Sequence, residues 1–403
     1  MLTMRKDHKL IAFLAFAMYF LTGAACIVVG SSLTHLVKLY QLQLDKVVLL
    51  GSAFALGRVL TVYVTGQMVE KLGPARVLAG GCILIAAFLF GIPTIPNYYA
   101  GMIFAFSGGV GMGAQDTVCP LLLSVVFREN YAGSMSAGQA FFGLGNFATP
   151  FLVGVMLSGK LPFYYSYYVL LIVPVVMLIC IPFAKIDACV QGNKGEGEVQ
   201  EETVTPLYTR NTVLAYVAII LVDIAYCAEV NGIMTYTSSF AESIGISPAI
   251  SAFMLTVYNV GCFVGSLAFI FILRKVKVQT VLLVNHVIAL TAIVAMLVID
   301  RVPVYFVGLA IAGFFLGVLF STIVTIATRI DYKHISRAGS MMATVGGGSD
   351  ILTPVITGMM VAAWGVGSSY VYVIIMCVVS IIGATVLKLN TTEKEEKRNA
   401  NSK

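Results

Sequence analysis

The stretch KIDACVQGNKGEGEVQEETVTPLYTRNT, Lys185 to Thr212, is the only long polar interruption in a chain of 403 residues. It is acidic, contains glycine and has no hydrophobic period, so it reads as a linker. The sequence on either side is apolar. Residues of the set AVILMFWYC make up 59% and charged residues 11%, against about 25% charged in average soluble domains. Mean hydropathy is +0.93. This composition excludes a soluble enzyme or a nucleic-acid binder and predicts an all-α integral membrane protein.

A hydrocarbon core of about 30 Å takes about 20 residues per helix. Breaking the chain at charges and Pro/Gly/Asn turns gives twelve spans: 10–34, 47–69, 76–95, 98–126, 134–158, 163–184, 213–240, 249–273, 278–299, 302–327, 338–363 and 367–387. The expected organisation is an N-terminal six-helix bundle over 1–184, a cytoplasmic linker over 185–212, a C-terminal bundle over 213–387 and a charged cytoplasmic tail over 388–403. Arg5-Lys6 precedes an apolar run with no small-residue cleavage site, which predicts a retained first span.

Charge placement supports the count. Twenty of the 25 Lys and Arg residues fall on the side of the N-terminus; Lys38, Lys46, Lys160 and Arg301 fall on the other, and Arg58 lies within a span. That asymmetry puts both termini in the cytoplasm. The halves also repeat at a shift of 204 residues: Gly57 falls on Gly261, Lys71 on Lys275, Val77-Leu78 on Val281-Leu282 and Gly113 on Gly317. The block Thr149-Pro150 to Met156 falls on Thr353-Pro354 to Met360 at the same shift. Six spans per half give both halves one orientation, so the repeat is parallel.

The loop after the second span reads Gly66-Gln-Met-Val-Glu70-Lys71-Leu-Gly73-Pro-Ala-Arg76. It resembles the G-x-x-x-D-[RK]-x-G-[RK]-[RK] loop of the major facilitator superfamily, as do the twelve spans, the parallel halves and the acidic central loop. Glu70 replaces the aspartate, and Pro74 and Ala75 replace basic residues. The resemblance implies a cytoplasmic latch built on Gly66, Glu70, Lys71, Gly73 and Arg76, weakened by those departures. Three further segments are similar to the fucose/glucose-permease branch of sugar–proton symporters. They are Gly109-Val-Gly111-Met-Gly113-Ala-Gln-Asp116-Thr117-Val-Cys-Pro120, Gln139-Ala-Phe141-Phe-Gly-Leu-Gly145 and Tyr226-Cys-Ala-Glu229-Val-Asn231-Gly232. That branch carries Asn-Asp in its first span, where this chain has Gly30-Ser31, so its mechanism does not transfer whole.

Five ionisable residues fall within spans: Arg58, Asp116, Asp223, Glu229 and Asp350. Each costs about 2.5–3.5 kcal/mol at a helix centre on insertion scales, which makes each a functional candidate. Asp116 and Asp350 stand four residues before Pro120 and Pro354, as Asn146 does before Pro150. Proline lacks an N–H, so the carbonyl four residues earlier loses its helix partner. Gly109–Gly113 and Gly346-Gly347-Gly348 lie alongside, and interrupted helices of this kind hold substrate and ion sites in transporters. Asp116 is the first candidate for a proton carrier and Glu229 the second, with Asp350 and Asp223 behind them. Asp223 and Glu229 are about 120° apart on a helix, so they do not share a face. Arg58 either balances Asp116 or clamps an anionic substrate with two parallel N–H bonds. Gln115, Gln139, Asn146, Asn231 and Asn259 are candidate amide contacts for a substrate. His286, on the ninth span, reads as structural.

Eight cysteines and four histidines are scattered singly, and no ATP-binding loop of the G-x-x-x-x-G-K-[ST] kind occurs. No metal, cofactor or nucleic acid is expected. The sequence thus predicts a secondary transporter of the cell membrane, not an enzyme. It works as a monomer by alternating access, with a small polar solute such as a sugar and protons as its partners. Two alternatives stand beside proton symport. One is efflux by proton antiport, since Gly145-Asn-Phe-Ala-Thr-Pro150-Phe-Leu-Val-Gly154 loosely resembles an antiporter motif; the other is organic-anion transport through Arg58. A transporter-like sensor or a lipid scramblase is a remoter alternative.

Overall fold

The computed structural model describes residues 6–127, 131–191, 206–273, 275–332 and 335–393. The glycine-rich and glutamate-rich middle of the linker and the end of the tail, from 394 on, lie outside the described residues. The first half contains α1 (Lys6–Ser31), α2 (Leu33–Tyr40), α3 (Leu44–Val47), α4 (Leu49–Leu72), α5 (Pro74–Thr94), α6 (Tyr98–Val126), α7 (Tyr131–Ser158) and α8 (Tyr164–Cys180). After α9 (Ile186–Gln191) come α10 (Thr212–Ser243), α11 (Pro248–Ile272), α12 (Val278–Ile299), α13 (Val302–Leu316), α14 (Leu319–Ile330), α15 (Ile335–Trp364) and α16 (Ser368–Asn390). Among the described residues eleven helices are long and apolar enough to cross a membrane. There are twelve if Leu44–Thr61 and Val64–Leu72, which meet at a bend, form one span.

Sequence signals explain several helix ends. Pro74 opens α5 at its first turn after Gly73, whose φ of +87° suits glycine. The Asn97 side chain caps α6 by accepting from the Ala100 N–H at 3.1 Å. The predicted spans 98–126 and 278–299 coincide with α6 and α12. The tenth predicted span, 302–327, falls within one apolar stretch long enough to cross a membrane, Val302–Ile330, in which α13 and α14 follow each other with only Gly317 and Val318 between them. A correction concerns the prolines. Pro120, Pro150 and Pro354 lie inside α6, α7 and α15, each of which runs on as one helix. A missing N–H costs one hydrogen bond, which packing by neighbouring helices tolerates in a membrane. The Gly346-Gly347-Gly348 run is likewise helical within α15.

The chain divides into two compact units. One comprises Met1–Gln200, Thr235–Thr256 and Pro354–Ala363; the other comprises Glu201–Met234, Val257–Thr353 and Trp364–Lys403. Within the first, α4 and α6 cross at glycines. A Cβ added at Gly57 would collide with the Phe106 carbonyl oxygen and one at Gly109 with the Phe54 carbonyl oxygen. Within the second, α11 and α13 cross in the same way. A Cβ at Gly261 would come to 2.5 Å of the Ala310 carbonyl oxygen, and one at Gly313 would collide with that of Tyr258. Every residue in the second set is 204 positions beyond its counterpart in the first. The internal repeat is therefore a repeat of backbone contacts, made possible because small residues let membrane helices approach closely.

The linker and tail also carry structure. β1 (Leu207–Thr209) pairs antiparallel with β2 (Thr391–Glu393), placing Leu207 opposite Glu393 and Thr209 opposite Thr391. Asn390 ties the same ends together: its side-chain nitrogen donates to the Asn211 carbonyl at 2.7 Å, and its side-chain oxygen accepts from the Asn211 N–H at 2.9 Å.

Candidate functional site

The α4–α6 crossing places Arg58 and Asp116 together. Close approach at Gly57 and Gly109 leaves the two helices almost in backbone contact, so Arg58, the residue after Gly57, can reach Asp116, two turns beyond Gly109. The Arg58 Nε–H donates to Asp116 Oδ2 at 2.7 Å. The arginine side chain is 35% exposed and the aspartate 21%, so the pair is accessible from outside the helix core. Thr65 lies two turns along α4 from Arg58, and its hydroxyl is 2.8 Å from that of Thr117, the neighbour of Asp116. Gln115, nearly buried, has its side-chain amide 3.0 Å from the Thr22 hydroxyl of α1. The site is thus an ion pair flanked by hydroxyl and amide groups, with no net charge between Arg58 and Asp116.

Other candidates are placed separately. On α7, Asn146 is buried and its side-chain oxygen has no hydrogen-bond partner within the described residues, while Gln139, on the same helical face, is exposed. In the second unit Asn231 Nδ2 donates to Asp350 Oδ1 at 3.3 Å. Asp223 is buried and faces Gly346, where a Cβ would stand 3.8 Å from its Oδ2. The Asp350 carboxylate is close enough to act on Asp223 electrostatically. Asn259 is buried on α11. Glu229 points elsewhere, towards α12 and α16, where Ser380 donates to its Oε1 at 2.5 Å and His286 Nε2 lies 3.7 Å from its Oε2. Sequence reasoning placed the angle between Asp223 and Glu229 but missed the partner of Glu229. His286 lies 57 positions away with no local signal, and only the packing of α10 on α12 reveals it.

The latch residues Glu70, Lys71 and Arg76 are exposed, and Arg76 Nη1 donates to the Leu72 carbonyl at 3.4 Å. The acid at this loop is a different one. Asp187, on α9, accepts from the Ala75 N–H at 3.0 Å and lies where a Cβ on Gly73 would come to 2.9 Å of its Oδ1. Its carboxylate therefore sits at the N-terminus of α5, favourable for the helix dipole as well as for the unpaired N–H. We expect Asp187→Ala to cost about 1 kcal/mol of stability, the usual loss of a helix cap. Thermal unfolding in detergent checks this, and an unchanged midpoint would remove Asp187 from that role.

A family model described as Major Facilitator Superfamily matches residues 12–333 and 224–403. The MFS-type transporter YfkL of Bacillus subtilis (strain 168), itself uncharacterized, is 24% identical over 362 residues, covering 88% of this chain and 89% of that one. Among solved structures, the nucleoside transporter NupG aligns with a TM-score of 0.73 at 14% identity, over 96% of this chain and 99% of its own. The xylose transporter XylE from E. coli, in a partially occluded inward-open conformation, aligns with a TM-score of 0.71 at 11% identity, over 97% and 99%.

Proposed function

The chain belongs to the Major Facilitator Superfamily, and from that membership we propose that it carries a small, neutral, polar solute across the cell membrane together with protons. It is a multi-pass membrane transporter and not an enzyme. The observation that carries the finer reading is the 2.7 Å bond between Arg58 and Asp116. An arginine whose charge is already balanced by a carboxylate offers no net positive charge to an organic anion. A neutral solute with hydroxyl groups can exchange hydrogen bonds with the same pair without burying an uncompensated charge. Transporters of this fold include one for nucleosides and one for xylose, both polar molecules.

Proton coupling follows from the same pair. Asp116 is held either by Arg58 or by a proton, and the two options differ by one charge. Proton binding loosens Arg58 from Asp116 and frees both side chains to hydrogen-bond the solute. The Arg58 side chain, 35% exposed, keeps its charge in contact with water rather than buried. Departure of the solute returns Arg58 to the carboxylate and expels the proton. Solute and proton therefore favour the same state, which is the thermodynamic requirement for symport. Both termini are assigned to the cytoplasm, from the Lys and Arg asymmetry. The six-helix groups over 1–184 and 213–387 are taken as the moving bodies of alternating access, with the chain working as a monomer. Gln115 and Asn146 are the amides assigned to the solute on the Arg58 side.

Arg58→Lys tests the reading. Lysine keeps the charge but loses the planar fork. Uptake of the solute should survive with a modest loss if Arg58 balances Asp116. Loss of uptake equal to that of Arg58→Ala would show that a two-pronged clamp is needed, and would favour an anionic substrate.

A further inference from the structure

The buried cluster around Glu229 forms a site that the transport reading does not use. Glu229 on α10, His286 on α12 and Ser380 on α16 are each fully buried. The proton positions follow from the partners. A carbonyl only accepts, so the 2.8 Å contact between His286 Nδ1 and the Leu282 carbonyl oxygen puts an N–H on Nδ1. In a neutral imidazole Nε2 is then a bare lone pair. It faces Glu229 Oε2 at 3.7 Å, and neither atom has another hydrogen-bond partner within the described residues. The other carboxyl oxygen, Oε1, is satisfied by the Ser380 hydroxyl at 2.5 Å.

With no proton between them, Oε2 and Nε2 would be two buried acceptors facing each other, and a full negative charge would stand in a site closed to water. No Lys or Arg side chain forms an ion pair with Glu229 among the described residues; the salt-bridge partner is His286. Among the described residues the other ionisable groups facing the carboxyl are Tyr226 of α10, Tyr258 of α11 and Cys377 of α16, whose thiol hydrogen-bonds the carboxyl group. Phenols and thiols are ordinarily neutral around neutral pH and cannot supply the missing positive charge. One proton removes both faults: placed on either atom, it leaves the pair neutral overall and converts two opposed acceptors into a donor and an acceptor.

We propose that Glu229 and His286 form a one-proton site, a second proton-binding site that fastens α10 to α12 and α16. The proposal does not depend on the solute or on the role of Asp116, and it would stand if the chain moved no protons across the membrane. It assigns His286 a positioning role: it supplies the acceptor that fixes where the proton rests.

Two measurements on the full-length protein in lipid vesicles at neutral pH test it. The first is the infrared spectrum of the wild type minus that of Glu229→Gln, which reads whether one protonated-carboxyl C=O band is lost. The second is 15N NMR of labelled histidine in a variant whose other imidazoles, His8, His35 and His334, are replaced by asparagine. A lost band with a neutral Nδ1–H imidazole is the expected result. No band with a doubly protonated imidazole also supports the one-proton site, with the proton resting on His286. An ionised carboxyl beside a neutral imidazole means no proton, and a lost band beside a doubly protonated imidazole means two; either overturns the proposal. If Glu229→Gln does not fold, the protonated-carboxyl band is read in the wild type from its downshift on 13C labelling of the glutamate carboxyls, so both readings are made on native Glu229.

Discussion

Asp116→Asn abolishes proton-driven accumulation while solute exchange across the membrane continues. Asparagine keeps the shape of aspartate and a carbonyl oxygen that can still accept from Arg58 Nε at the 2.7 Å position. It has no group that takes up and releases a proton. One proton crossing 100 mV releases about 2.3 kcal/mol, enough for roughly a fifty-fold solute gradient. The variant should lose that whole gradient and settle at equal concentrations inside and outside. Counterflow of labelled against unlabelled solute needs no net proton movement, so it should persist near the wild-type rate. The measurement is uptake into liposomes with and without an imposed pH gradient. Accumulation that survives in Asp116→Asn would remove this carboxylate from the coupling.

The second large effect is expected at the helix crossings. Gly109→Ala places a methyl carbon against the Phe54 carbonyl oxygen, and Gly313→Ala does the same against that of Tyr258. Alanine is a better helix former than glycine by about 1 kcal/mol, so propensity alone predicts stabilisation. The obstruction here is backbone, which cannot rotate away, and forcing extra atoms into a packed core costs about 1–3 kcal/mol or more. The collision wins, and both variants should lose most of their folded, monodisperse protein in detergent. Gly80→Ala, on α5 with nothing within 4 Å of an added Cβ, is the control and should fold at least as well as the wild type. Equal yields from Gly80→Ala and Gly109→Ala would contradict the close crossing.

Much of this architecture was legible in the sequence because membrane helices have a strong one-dimensional signal. The spans over 98–126 and 278–299 coincide with α6 and α12, since length and charge alone fix them. The 204-residue repeat, read from a handful of glycines, marks the backbone contacts of Gly57 and Gly261 and extends to Gly109 and Gly313. Features that depend on distant partners were not legible. β1 is three residues long and exists by pairing with β2, some 180 positions away. Asp187 lay in a polar linker and gave no sign that it would meet Gly73 and Ala75. The prolines misled in a different way: the rule that proline breaks a helix comes from water-exposed helices, whereas α6, α7 and α15 continue through theirs. In the candidate site, the pairing of Arg58 with Asp116 was one of two readings left open by the sequence. The partnership of Glu229 and His286 was missed because His286, alone on the ninth span and 57 positions from Glu229, read as structural.

Of all the measurements, proton movement tests the function most directly. The purified protein is placed in liposomes that contain a pH-sensitive dye, and pools of sugars and other neutral polar solutes, organic anions and hydrophobic cations are added in turn. Proton-coupled symport predicts acidification of the lumen when the neutral polar pool is added outside, and its absence in Asp116→Asn. Proton movement opposite to a hydrophobic cation, or entry of organic anions alone with the protons, would contradict it.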